Sequence, residues 1–196
     1  MQDKQKFSMY LTQAQTNVSF TSFMTAVVVF FTGLLIASFN QFDITIKIPI
    51  AFLIISTFGF LYSTLIFANA GGKAVGEDEK EFQRHMFMGD VISEYLGVYL
   101  LIFSIPLVIG VITNDIFLGI VAIVSALLGL AIYQFSGFAI IERHFKKHNM
   151  VSTVILCFGI LLLLSQFFKY HFELVSVLFL VLLLGVTYFS TKKHIF

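Results

Sequence analysis

A bilayer's hydrocarbon core, about 30 Å thick, takes roughly 20 residues of helix to cross. Runs of about that length dominate this chain, at 18–38, 46–69, 91–112, 116–141, 150–168 and 173–191. Backbone groups inside lipid have no water to bond, so each run must satisfy its own N–H and C=O groups as a helix. Composition agrees: 58% of residues are hydrophobic and 12% charged, against roughly a quarter charged in soluble domains. The sequence therefore predicts an all-α integral membrane protein, a single domain over 1–196 with six transmembrane helices. The first apolar run is longer than the core of a signal peptide, and the polar stretch before it is longer than a usual leader, so it is read as a span.

Lysine and arginine near span ends stay on the cytoplasmic side. Lys4 and Lys6, then Lys73, Lys80 and Arg84, then Arg143, Lys146 and Lys147, then Lys192 and Lys193 all fall on one side, leaving Lys47 and Lys169 on the other. Both termini are expected in the cytoplasm, with three antiparallel hairpins joined by cytoplasmic connections and short turns outside. The longest polar interval, 71–90, is read as a cytoplasmic connector. Its acidic knot of Glu77, Asp78, Glu79 and Glu81 lacks the ligand spacing of a calcium loop and reads as a solvated face.

The first span carries a polar stripe. At about 100° per residue, Gln13, Asn17, Thr21, Thr25 and Thr32 fall within roughly a 120° arc. Such a stripe can line a water-filled path or bond to a neighbouring helix and back to its own carbonyls. The third span opens with Asp90 and Glu94, with Ser93, Gly97 and Ser104 on the same side. Two carboxylates one turn apart can cap the helix start or hold a cation, with oxygen ligands suited to sodium, potassium, calcium or protons. Pro106, inside that span, is expected to free the Ile102 carbonyl and kink the helix, with Ser104 capping it.

Small residues form seams on two spans, Ser56, Gly59, Ser63 and Ala70 on the second and Gly119, Ala122, Ala126, Gly129 and Ser136 on the fourth, where another helix can approach closely. A faint repeat of Gly and Tyr ends the second span of each hairpin at Tyr62, Tyr133 and Tyr188, as interfacial tyrosines do. The fifth and sixth spans, rich in Leu, Val and Phe, read as peripheral. Cys157 reads as a packing residue. His85 and His144 are expected near the headgroups, where imidazole titrates in the physiological range.

No metalloprotease, nucleotide-binding, serine-hydrolase, dithiol or haem motif is present, so no catalytic residue, metal or cofactor is assigned, and the chain is read as not an enzyme. Scattered cations and a net charge of +1 give no nucleic-acid surface. The leading expectation is a multi-pass cell-membrane cation channel or small transporter, a homo-oligomer whose path is lined by the first-span stripe. Asp90 and Glu94 would form its cytoplasmic acidic vestibule, and its partners would be the bilayer and the cation. Two alternatives stand beside it: a membrane scaffold or accessory subunit contacted through 71–88, and a lipid-modifying enzyme assembled from Asp90, Glu94, Glu142 and His144.

Overall fold

The computed structural model describes residues 2–135 and 150–193, and these are helical with short turns and no strand. Helix α1 covers Gln2–Ala37, α2 Lys47–Val75, α3 Glu79–Ile92, α4 Tyr99–Thr113, α5 Ile116–Phe135, α6 Met150–Phe167 and α7 Phe172–Lys193. Between α3 and α4 the chain passes through a π-helical turn, Ser93–Val98, so α3, the turn and α4 form one continuous rod.

Five of the described helical rods are long and apolar enough to cross a membrane, and Thr153–Phe167 in α6 is a shorter apolar helix. The apolar runs expected at 46–69, 91–112 and 173–191 lie within these rods, and the run at 18–38 does so up to Ala37. Ser136, Glu142, Arg143, His144, Lys146 and Lys147, on which parts of the sequence reading rest, lie outside the described residues.

The central element is the α3–π–α4 rod. Its Phe87, Val91, Tyr95, Tyr99, Phe103 and Leu107 are buried and join Phe52 of α2, Leu130 of α5, Ile155 and Leu162 of α6, and Phe179 and Leu183 of α7 in one core. The fifth and sixth predicted spans are thus not merely peripheral: each contributes a buried apolar face to this core. Those six rod positions recur every four residues, a period that no straight α-helix keeps on one side. Each four-residue step overshoots a full turn by about 40°. The π turn inserts one residue and takes back about 100° of that drift, so the same side of the rod stays in the core through its length.

Glycine notches set how closely the helices lie. A side chain at Gly59 would collide with the backbone of Leu96 and Gly97, one at Gly89 with the Phe67 ring, one at Gly97 with the Phe60 ring, and one at Gly159 with the Phe103 ring. The predicted small-residue seam of α2 therefore does pack face to face with the rod: Ser56, Gly59, Ser63 and Ala70 are all buried. On α5 the corresponding seam is only partly covered. Ala122, Ala126 and Gly129 border an open apolar groove shared with Ile105 and Ile109 of α4.

The connector at 71–90 is not a loop. Helix α2 runs on to Val75, the chain reverses over Gly76, Glu77 and Asp78, and α3 begins at Glu79. Glu77 adopts a left-handed conformation at φ 57°. Asp78 caps α3 by accepting from the Glu81 N–H at 3.2 Å. The polar composition suggested a solvated connector, but its Ala74, Phe82 and Met86 are buried and find partners. Phe82 and Met86 of α3 pack with Phe67, Ala70 and Ala74 of α2 and Ala14 of α1. Helix α1 extends past its apolar run for the same reason, with Tyr10 stacked on Phe82 at 4.5 Å and Lys6 paired with Glu79 at 2.7 Å. The knot is therefore partly structural: Glu79 also accepts from the Tyr10 hydroxyl at 2.8 Å.

Pro106 is buried within an unbroken α4, and Ser104 donates to the Leu101 carbonyl at 2.8 Å rather than to Ile102. The departure from α-helical hydrogen bonding in this rod is the π turn at Ser93–Val98. At the opposite end of the bundle from the α2–α3 turn, Lys47 pairs with Glu173 at 2.6 Å, and Gln166 of α6 donates to the Leu107 carbonyl of α4 at 2.7 Å.

Candidate functional site

Glu94 is the second residue of the π turn and is 1% exposed. Its Oε1 accepts from the Tyr99 hydroxyl at 3.3 Å, and its Oε2 from the Tyr133 hydroxyl at 3.2 Å. Tyr99 lies further along the same rod, whereas Tyr133 comes from α5, so the carboxylate joins two helices. Tyr95 stacks on Tyr99 with ring centroids 5.9 Å apart and supports the ring that carries one of the donors. Asp90, one turn earlier, is also buried, and its carbonyl accepts from Ser93 Oγ at 3.1 Å.

The π turn gives this arrangement its shape. A wider turn leaves carbonyls out of line with the usual i−4 donors, and the Gly97 carbonyl is taken by Ser56 Oγ of α2 at 2.8 Å. Ser56 can reach it because Gly59 and Gly97 let the two backbones touch. A carboxylate, an aromatic pair and an unusual backbone segment thus occupy one level of the bundle, fixed from α2 on one side and from α5 on the other.

Sequence reasoning brought Asp90 and Glu94 together, and the structure does likewise, but their setting differs. An acidic vestibule open to water was expected; Glu94 is instead enclosed by tyrosines inside the core. Tyr99 and Tyr133 were missed as site residues. Tyr133 was grouped with Tyr62 and Tyr188 as interfacial, yet those two are exposed at 53% and 59% while Tyr133 turns inward onto Glu94. The available signal was the four-residue spacing of Tyr95 and Tyr99 with their neighbours, which demands a wide turn at Glu94.

The first-span stripe lies elsewhere. Thr21 and Thr32 are buried, Asn17 and Thr25 half-buried and Gln13 exposed. Thr21 donates to the Asn17 carbonyl at 2.8 Å, Thr25 to Thr21 at 2.8 Å and Thr32 to Val28 at 2.7 Å. Thr64 of α2 donates to the Thr21 hydroxyl at 2.7 Å. Of the two roles open to this stripe, helix packing accounts for these contacts: the hydroxyls satisfy themselves within α1 and at its seam with α2. No cluster of three or more His, Cys, Asp or Glu side chains able to hold a metal occurs among the described residues.

At the far end of the bundle, Asp43 caps the short turn Ile44–Ile46, accepting from both the backbone N–H and the hydroxyl of Thr45 at 2.9 Å. Those hydrogen bonds, the backbone one first, hold its carboxyl below the ordinary value of 3.8. Asp43 borders a cavity of about 720 Å³ with Asn114, Gln166, Lys169, His171 and Glu173.

Comparison of the chain with protein-family models, with curated proteins and with solved structures finds no match.

Proposed function

We propose that this chain is a six-span cell-membrane protein, with both termini cytoplasmic, that moves a cation as a channel or small transporter, and that Asp90 and Glu94 form its cation-binding site. The observation that carries the reading is the burial of Glu94 at a π turn between tyrosines of two helices. Carboxylates inside membrane-spanning helices are costly and mark ion or proton pathways, and π turns concentrate at functional positions.

Both oxygens of Glu94 already accept hydroxyl hydrogens, which suits a proton or a monovalent cation better than a divalent ion needing several free oxygen ligands. Tyr99 and Tyr133 can rotate their hydroxyls, donating to a carboxylate or presenting oxygen lone pairs to a cation beside it. The path is assigned to the rod and α5, where the carboxylates are, rather than to the α1 stripe. A homo-oligomer is part of the proposal, since the α5 seam of Ala122, Ala126 and Gly129 leaves a small-residue face that another copy can approach.

The test is cation and proton flux in proteoliposomes at matched protein incorporation. Wild type should carry flux for a proton or a monovalent cation, and Glu94→Gln, which keeps the shape and removes the charge, should abolish it. Folded wild-type protein without flux for protons, sodium, potassium or calcium would overturn the proposal. Flux unchanged in Glu94→Gln would remove the site from the mechanism.

A further inference from the structure

Beside the α2–α3 hairpin, α1 and α3 enclose a cavity of about 590 Å³ whose walls include Tyr10, Gln13, Lys80, Gln83 and Arg84. Its charged lining residues are the two cations; the neighbouring carboxylates Glu79 and Glu81 are not among its walls. Phe82, Met86 and Phe87 form an apolar floor. Glu81 takes Arg84 Nη1 at 3.2 Å, and the Glu81 carbonyl lies 2.7 Å from His85 Nδ1, but Arg84 Nε is shut off from water with no hydrogen-bond acceptor. Glu81 engages the guanidinium through Nη1 only, and a cavity walled by Arg84 and Lys80 suits an anionic oxygen, because Arg forks onto phosphate or carboxylate through several N–H groups at once.

Position narrows the anion. Arg84 lies about 10 Å along the helix from Val91, where the apolar run of the rod begins, and Gln13 about 7 Å from Val18 on α1. Each headgroup layer is about 5–8 Å deep, and a long basic side chain spans the remainder. The cavity therefore stands at the headgroup level of the end on which Lys6, Lys73 and Lys80 gather. Polar and cationic walls with an apolar floor fit a phosphodiester whose glycerol and first methylenes remain attached.

We infer that this cavity is a binding site for the phosphodiester headgroup of an anionic phospholipid, held by Arg84 and Lys80 with Gln13 as a neutral donor. The inference requires the helices to cross a bilayer but not that the chain transports anything. A lipid seated there bridges α1 to α3 and fastens the first helix, which otherwise packs principally on α2.

The experiment is binding of short-chain lipids to the purified full-length protein in neutral detergent, by native mass spectrometry and by thermal shift. The probes are dioctanoyl phosphatidylglycerol, dioctanoyl phosphatidylcholine and inorganic phosphate. Wild type should prefer the glycerol lipid to the choline lipid, and Lys80→Gln and Arg84→Gln should each weaken it about fivefold. Lys47→Gln, at the other end of the bundle, should leave it unchanged. Lys80 is exposed, so its variant reads binding even if Arg84→Gln fails to fold. Equal affinity for both lipids, or wild-type affinity in folded Lys80→Gln, would overturn the inference. Competition by phosphate as effective as by the lipid would also overturn it, in favour of a free-phosphate site.

Discussion

The α1 stripe and the turn around Glu94 are both polar features in apolar helices, yet they are built oppositely. In the α1 stripe Thr21, Thr25 and Thr32 each return a hydroxyl to a carbonyl one turn back, and Thr64 of α2 reaches across to the Thr21 hydroxyl. At Glu94 the partners come from a different turn and a different helix, and the backbone is itself reshaped to hold them. A polar group that answers its own helix serves packing and can be replaced at small cost. One that needs several elements to satisfy it cannot be replaced so cheaply, because burying a carboxylate brings a large desolvation penalty; this is the contrast on which the proposed role of Glu94 rests.

That contrast is open to direct attack. Glu94→Gln should lower cation flux by at least about tenfold, which corresponds to about 1.4 kcal/mol in the transport barrier, with the melting temperature close to wild type. A mutant that transports normally would place both features in the packing class. Tyr133→Phe removes one charge-assisted hydrogen bond, worth about 1.5–3 kcal/mol. Flux should fall less than in Glu94→Gln, and the dependence of flux on pH should shift, a change that loss of packing alone would not produce.

Gly97→Ala should destabilise the bundle by about 1–3 kcal/mol through overpacking against Phe60, measured by thermal or denaturant melting in detergent. A neutral result would mean that the α2–rod contact is looser than the notch implies. Thr21→Val should cost about 0.6 kcal/mol, the ordinary worth of a hydrogen bond between membrane helices, and leave flux within about twofold of wild type. Abolished flux in a folded Thr21→Val protein would return the path to α1. The smallest effect is expected at Asp43. Its carboxyl is held below its ordinary value, so the stabilisation it gives is complete above that value, 3.8, and is lost as pH falls through the lower folded value. Melting curves of wild type and Asp43→Asn should therefore converge below that window.

Five helices long and apolar enough to cross a membrane were legible, because length and apolarity are local properties of the chain that need no distant partner. The α2 seam was legible for a related reason, since small residues at helical spacing let another helix approach closely. What escaped was anything that depends on a long-range partner. The 71–90 stretch is polar enough to pass for a loop, and its packing on both α1 and α2 comes from residues far away in sequence. Asp90 and Glu94 were visible as a pair, but nothing local distinguishes Tyr133 from Tyr62 or Tyr188. Only the rod's four-residue spacing carried hidden information about Glu94, through a period that an α-helix cannot sustain.

The glycine notches bear on kinematics. With Phe67 seated at Gly89, Phe60 at Gly97 and the backbones of α2 and the π turn in contact at Gly59, α2 cannot slide along the rod or rotate about it without lifting rings out of their seats. These two elements behave as one plate. On the proposed transport role, a motion that exposes Glu94 first to one side of the membrane and then to the other falls to the parts outside that plate. Helix α5, tied to it at this level through Tyr133 and largely open elsewhere, is the lever best placed to move.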